Sequence, residues 1–299
     1  MIIPDLLRRH AAAVGAEAWI DELPALVRHL EQQWNITVGD PFAGATEAYA
    51  AEATTMDGQA AVVKLLLPAN PGAARNEITA LRLAEGEGCV ALLRDEPELG
   101  ALLLERLGPS LFELGLSLAQ RLEILCDTVA RMWRAAPDSG LPTGAARARH
   151  RSDFIAQAWE RLDRPCSEPV IEHALDCALR REAAHDDARA VLAHGDVHQL
   201  NALRAGDRFK LIDPDGVLAE PELDLGILMR GDPVELLERD PRERASWLAD
   251  RSGLDATAIW EWGVVERVAS GLHCEAIDFQ PLGRETFAAA EAVVGLSMS

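Results

Sequence analysis

The hydrophobic spacing along the chain changes near residue 36 and again near residue 105. Before the first change, Leu23, Leu26, Val27, Leu30 and Trp34 recur three and four apart, which lines one face of a helix. Asp21 stands where an N-cap would, offering a carboxylate to the free N–H groups of a first turn. From Ile36 to about Leu104 shorter runs take over. Residues 47–55 read as a strand, Asp57-Gly58 as a hairpin turn, and residues 60–67 as the returning strand. That second strand is almost wholly apolar and therefore buried, yet it carries Lys64 at its middle. A helix is expected over about 72–85, with Ile78, Leu81 and Ala84 on one face. Residues 90–94 and 101–104 read as two further strands, parted by a turn near Pro97.

Past Glu105-Arg106-Leu107-Gly108-Pro109 the strand signal stops for many residues. Ser117 with Gln120 is a capping box. It opens a helix whose stripe is Leu118, Leu122, Leu125, Val129, Met132 and Trp133. Residues 137–151 are rich in Gly, Pro, Ala and Arg and read as a loop. Helices are expected over 153–162 and 168–185, and again over 222–229, 234–238, 242–251, 255–275 and 285–298. The resulting fold class is α+β and bilobal. Residues 1–105 form a small lobe of antiparallel sheet plus helix, and residues 106–299 a larger, mainly helical lobe.

Composition narrows the function classes. The chain has 49 acidic and 29 basic side chains, a formal net charge of −20. Nucleic acid binding requires clustered Lys and Arg, and anionic membrane surfaces require the same, so both are disfavoured as partners. A cationic small molecule would be drawn in, although charge of this size also serves solubility. The five cysteines are scattered and include no Cys-x-x-Cys, as expected of reduced thiols in a cytoplasmic protein. No apolar run is long enough to span a bilayer. Oligomeric state is not legible.

The chemistry concentrates between Leu192 and Asp213. Asp196 is followed five positions later by Asn201, and after a short apolar run by Asp213. This spacing suits a loop between strands that presents one proton acceptor and two hard oxygen donors. Mg²⁺ takes few protein oxygens and leaves the rest to phosphate and water. Phosphoryl transfer needs that metal and a carboxylate near the attacking hydroxyl. Asp196 would then be the base, with Asn201 and Asp213 as metal ligands; the plain alternative is three ordinary loop residues. Lys64, costly in an apolar strand unless paired, would pair with Glu77 on the next helix and hold nucleotide phosphates; its plain alternative is a strand-edge lysine facing water. Gly44 and Thr46, in the segment before the hairpin, would cover the phosphates. Glu105 to Leu107, between the lobes, would offer backbone groups to adenine. His194 and His198 flank Asp196 as His-x-Asp-x-His, but no further His or Cys completes a zinc site. His194 is expected to prop the loop, and His198 to do likewise or to face substrate. Glu222 reads as a helix-start acid, and Asp224 as a brace for the catalytic loop.

These residues carry a resemblance. His194-Gly-Asp-x-His-x-x-Asn201 and Ile212-Asp-Pro214 resemble the aminoglycoside phosphotransferase family, which is similar in fold to protein kinases. Trp34, Ala61-Val-Val-Lys64, Asn76-Glu77 with Ala80-Leu81, the run Gly100 to Leu107, and Ile212 to Gly216 with Asp224 resemble its streptomycin 6-kinase and hydroxyurea kinase branch. The resemblance spans about residues 30–230. It implies ATP, Mg²⁺ and transfer of the γ-phosphate to a hydroxyl, with Asp196 as base, Asn201 and Asp213 as metal ligands and Lys64 on the phosphates. The implied acceptor is streptomycin, or another small hydroxylated molecule such as hydroxyurea or a different aminocyclitol. Asp213-Pro-Asp215 stands where protein kinases have Asp-Phe-Gly, and no Ala-Pro-Glu signature follows, so protein substrates are not expected.

Overall fold

The computed structural model describes residues 1–45, 47–68 and 71–298. The N-terminal half is a five-stranded sheet: β1 (Ile36–Pro41), β2 (Ala48–Thr55), β3 (Ala60–Leu66), β4 (Leu92–Glu96) and β5 (Ala101–Glu105). Its order is β1-β2-β3-β5-β4, with every neighbouring pair antiparallel. Alternation along β3 divides the side chains between two faces. Ala61, Val63 and Leu65 enter a core with Ala51, Ala53, Ala101 and Leu103, covered by helices α1 (Asp5–Ala13) and α2 (Glu17–Trp34). Val62 and Leu66 pack into the other core, towards α3 (Pro71–Ala84), and Lys64 shares their face. β3 is a central strand, so Lys64 sits between Ala50 and Leu102 and has no sheet edge from which to reach water.

The helical half is ordered around α10 (Ala256–Ala276), whose Trp260, Trp262, Val264, Val265 and Val268 are buried. Against it lie α5 (Gly144–Arg161), α6 (Glu168–Ala183), α7 (Glu222–Leu228), α9 (Pro241–Ser252) and α11 (Leu282–Ala292). α4 (Leu118–Val129) packs on α7, and the short α8 (Pro233–Leu236) on α11. Two small antiparallel pairs, β6 (Val191–Ala193) with β9 (Val217–Ala219) and β7 (Ala202–Ala205) with β8 (Arg208–Leu211), frame the loop expected to carry the chemistry. The halves are stitched together. Val90 N–H donates to the Leu211 carbonyl at 2.8 Å, Leu211 N–H to Gly88 at 2.9 Å, and Gly108 N–H to Arg204 at 2.7 Å.

Four sequence expectations need correction. α2 starts one turn before Asp21, behind Ala16, because Trp19 and Ile20 are buried and draw the helix back onto the sheet. The stretch 137–151 is not all loop. Thr143 accepts the Ala146 N–H at 3.2 Å and opens α5 at Gly144, where the alanines favour helix and two arginines find a buried partner on α10. The last helix ends at Ala292, and α4 ends at Val129, so Met132 and Trp133 lie beyond the helix whose stripe they were expected to extend. Among the described residues no helix is long and apolar enough to cross a membrane.

Candidate active site

The site is built on two backbone frames. The first is the loop between β6 and β7. Gly195 takes φ 86, a left-handed conformation suited to glycine, and a Cβ there would lie 2.9 Å from that of Asp215. Asp224, buried on α7, accepts the N–H groups of His194 at 3.0 Å and Gly195 at 2.8 Å, and the indole N–H of Trp133 at 2.9 Å. Burial raises its pKa, against the three donors. His194 is fully buried, and burial holds its pKa below the usual imidazole range. Its Nδ1 accepts the Asp196 N–H at 3.2 Å, which leaves Nε2–H to donate to the Ile212 carbonyl at 3.0 Å. The ring therefore links the Asp196 loop to the strand that leads into Asp213.

The second frame is that strand and its turn. Ile212 N–H donates to the Asn201 carbonyl at 2.9 Å, which brings Asn201 beside Asp213. Asp213 itself is left-handed, φ 60, a conformation costly for a non-glycine residue and frequent where a site fixes a side chain. Its carboxylate is partly exposed and accepts from Lys64 Nζ at 2.9 Å. Lys64 also pairs with Glu77 at 2.6 Å, deep in the interior. Burial opposes the Lys64 ammonium, but Asp213 and Glu77 outweigh it and hold its pKa above the ordinary value. Burial pushes Glu77 up, against the pull of Lys64.

Asp196 is half-buried, with 32% of its side chain exposed. Its Oδ2 accepts from Asn201 Nδ2 at 3.1 Å and lies 3.2 Å from His198 Nε2, while Oδ1 accepts from Arg230 Nη2. Burial works to raise its pKa, but Arg230 and His198 prevail and keep it well below the carboxylate range. Because Asn201 donates through its nitrogen, its carboxamide oxygen is left for another partner. That oxygen and the Asp213 carboxylate are hard donors of the type Mg²⁺ takes, so the residues present fit the metal.

The remaining expected residues fall as follows. Glu105 accepts the Ala91 N–H at 2.7 Å and pairs with Lys210, so its side chain fastens the segment between the halves. Leu107 is buried in the larger core. Gly44 is exposed, with nothing within 4 Å of a built Cβ. Thr46 lies outside the described residues. Glu222 opens α7 as a helix-start acid; it is also buried, accepts the Asp255 N–H at 3.2 Å and faces Arg189 at 3.6 Å.

Sequence reasoning missed an ion network behind Asp196. Arg147 on α5 contacts Asp215 at 2.6 Å, Glu266 at 3.1 Å and the Gly195 carbonyl at 2.9 Å. Arg151 reaches Glu266 at 3.0 Å, and Arg230 Nη1 stands 3.8 Å from it. The signal was present: Glu266 lies within the apolar run of α10, where a charge must be paired. Its hydrogen-bonded partners, Arg147 and Arg151, were hidden because they lie more than a hundred residues earlier.

The family described as aminoglycoside/hydroxyurea antibiotic resistance kinase matches residues 34–276. A streptomycin 6-kinase of Streptomyces glaucescens is 30% identical over 274 residues, 87% of either chain. A hydroxyurea phosphotransferase of Kitasatospora aureofaciens is 31% identical over 233 residues, covering 73% of this chain and 63% of that one. In fold, the chain is similar to an aminoglycoside phosphotransferase crystallised as a ternary complex with ADP and hygromycin B (TM-score 0.63, 14% identity, 91% of this chain and 99% of that one). The protein is thus a phosphotransferase and belongs to the aminoglycoside/hydroxyurea antibiotic resistance kinase family.

Proposed function

We propose that the chain transfers the γ-phosphate of ATP, with Mg²⁺, to a hydroxyl of an aminoglycoside, streptomycin first, and so inactivates the antibiotic. The observation that carries this reading is the convergence of Lys64, Glu77 and Asp213 in one ion-paired cluster, joined through the Ile212–Asn201 bond to the carboxylate of Asp196. Lys64 holds the α- and β-phosphates, and Glu77 keeps its ammonium aimed at them. Asn201 and Asp213 hold the metal, which supplies neutralisation of the phosphate charge. Asp196 accepts the proton of the acceptor hydroxyl as the oxygen attacks. His194 fixes the loop, and Asp224 fixes His194 and Gly195. The backbone at Glu105 to Leu107 borders the adenine, and the segment with Gly44 and Thr46 covers the phosphates.

The choice of streptomycin rests on the Streptomyces glaucescens relative and on an acidic chain that attracts a cationic acceptor. The hydroxyurea phosphotransferase, equally similar, makes hydroxyurea the second acceptor to test. Purified protein with Mg·ATP is expected to consume ATP in the presence of streptomycin and to add one phosphoryl group by mass. Asp196→Asn is expected to lose about 1,000-fold in kcat. Turnover of hydroxyurea without turnover of streptomycin would reassign the acceptor, and an undiminished Asp196→Asn would remove the base.

A further inference from the structure

We propose that Arg230, in the turn after α7, is a catalytic residue of this phosphotransferase: its guanidinium leaves the pairing with Asp196 to bind the phosphoryl group in flight. The proposal rests on the phosphotransfer reading above.

The argument begins with Asp196, both of whose oxygens are engaged. Oδ2 takes His198 and Asn201, and Oδ1 takes Arg230. A carboxylate oxygen has two acceptor sites, so Oδ1 retains one. An acceptor hydroxyl bound there sits roughly 3 Å from Oδ1, the atom to which Arg230 Nη2 already donates. The attacking oxygen and the guanidinium are therefore neighbours on one atom.

Arg230 also has donors to spare. Its side chain is 18% exposed, and Nη1 stands 3.8 Å from Glu266, beyond hydrogen-bond length. Glu266 does not need it, since Arg147 and Arg151 already hold that carboxylate at 3.1 and 3.0 Å. A cavity of about 50 Å³ opens beside Arg230, lined also by Val197, His198 and Gly231. Asp196 is thus the hydrogen-bonded partner of this cation, with Glu266 at 3.8 Å, and transfer neutralises Asp196. The acceptor O–H gives its proton to Asp196, an O–P bond forms, and the bond from phosphorus to the β–γ bridging oxygen breaks, its electron pair leaving on ADP. Asp196 is then neutral, Glu266 is already held by Arg147 and Arg151, and the phosphoryl oxygens carry the negative charge that Nη2 can bind in place of Oδ1. A planar fork with free donors matches two of those oxygens better than a point charge does. Lys64, held between Glu77 and Asp213, is committed to the α- and β-phosphates in the reading above.

The test is the affinity of Mg·ADP with aluminium fluoride, a mimic of the transferring phosphoryl, set against that of Mg·ADP alone. It is measured in the wild type, Arg230→Gln, Arg230→Lys, Asp196→Asn and the Arg230→Gln/Asp196→Asn pair, each checked by its unfolding midpoint. Arg230→Gln is expected to erase at least about tenfold of the mimic's advantage, equally in the Asp196→Asn background, with Arg230→Lys retaining part of it. A purely structural hold on Asp196 would lose its effect in that background. An advantage unchanged by Arg230→Gln, or changed only when Asp196 is intact, overturns the proposal, as does a wild type that binds Mg·ADP with no gain from the fluoride. A wild type that fails to bind Mg·ADP at all brings down the phosphotransfer reading instead, and is seen in the first titration.

Discussion

Lys64 is buried and has two carboxylate partners, and each partner constrains what its replacement can do. Lys64→Met removes the ammonium and leaves Glu77 as a buried acid with no counter-charge. Two effects follow, and they are separable. Loss of a preorganised cation at the phosphates should cost about 100-fold in kcat/KM for ATP. The stranded acid should cost stability, roughly 3 kcal/mol, which Lys64→Met combined with Glu77→Gln returns in part without restoring activity. Urea unfolding and steady-state rates of the two variants check this; recovery of both together would make Lys64 structural alone. At this scale much of the site was legible. Lys64 is unusual in an apolar strand, Asp196, Asn201 and Asp213 stand out by their mutual spacing, and the structure brings Lys64 to Glu77 and Asp213, and Asn201 to Asp196. Arg230 was not legible, because an arginine after a short helix is ordinary until Asp196 is seen against it.

α7 carries the next argument, since it positions Asp224 in its first turn and delivers Arg230 at its end. It lies so close to α10 that a Cβ on Gly226 would stand 2.3 Å from that of Trp262 and 3.0 Å from the Gly263 nitrogen. Gly226→Ala must push the helices apart, at a cost of about 1–3 kcal/mol. Activity should fall by more than the folded fraction, because the displaced helix takes Asp224 and Arg230 with it. Rates measured well below the unfolding midpoint decide the matter, and normal turnover there would uncouple helix packing from the site. Element by element, legibility followed locality. β3, α3 and α4 announce themselves by their own periods and caps. α5 does not, because what holds its start in place is Glu266 on α10, a partner that no local window contains.

Across the whole molecule, Glu266 is the charge on which the helical half closes, with Arg147, Arg151 and Arg230 brought to it from α5 and from the turn after α7. Burial works to raise its pKa, but the three guanidinium groups outweigh burial and bring it from 4.5 to about 2. The folded protein therefore binds this proton less tightly than the unfolded chain. The stabilisation is complete above pH 4.5 and disappears as pH falls from 4.5 towards 2. A shift of that size corresponds to roughly 3 kcal/mol. Glu266→Gln should lower stability at pH 7, because it leaves buried arginines short of a counter-charge. It should also lose less than the wild type on acidification, since it has no proton to take up at this position. Unfolding free energies from urea titrations at pH 7, 5, 4 and 3 measure both effects. Parallel curves for the two proteins would mean that Glu266 is protonated alike in both states, and that the arginines are held by other charges. Converging curves would place the acid sensitivity of the helical half on the cluster that also backs Asp196, so that acid below pH 4.5 would loosen the site before the sheet.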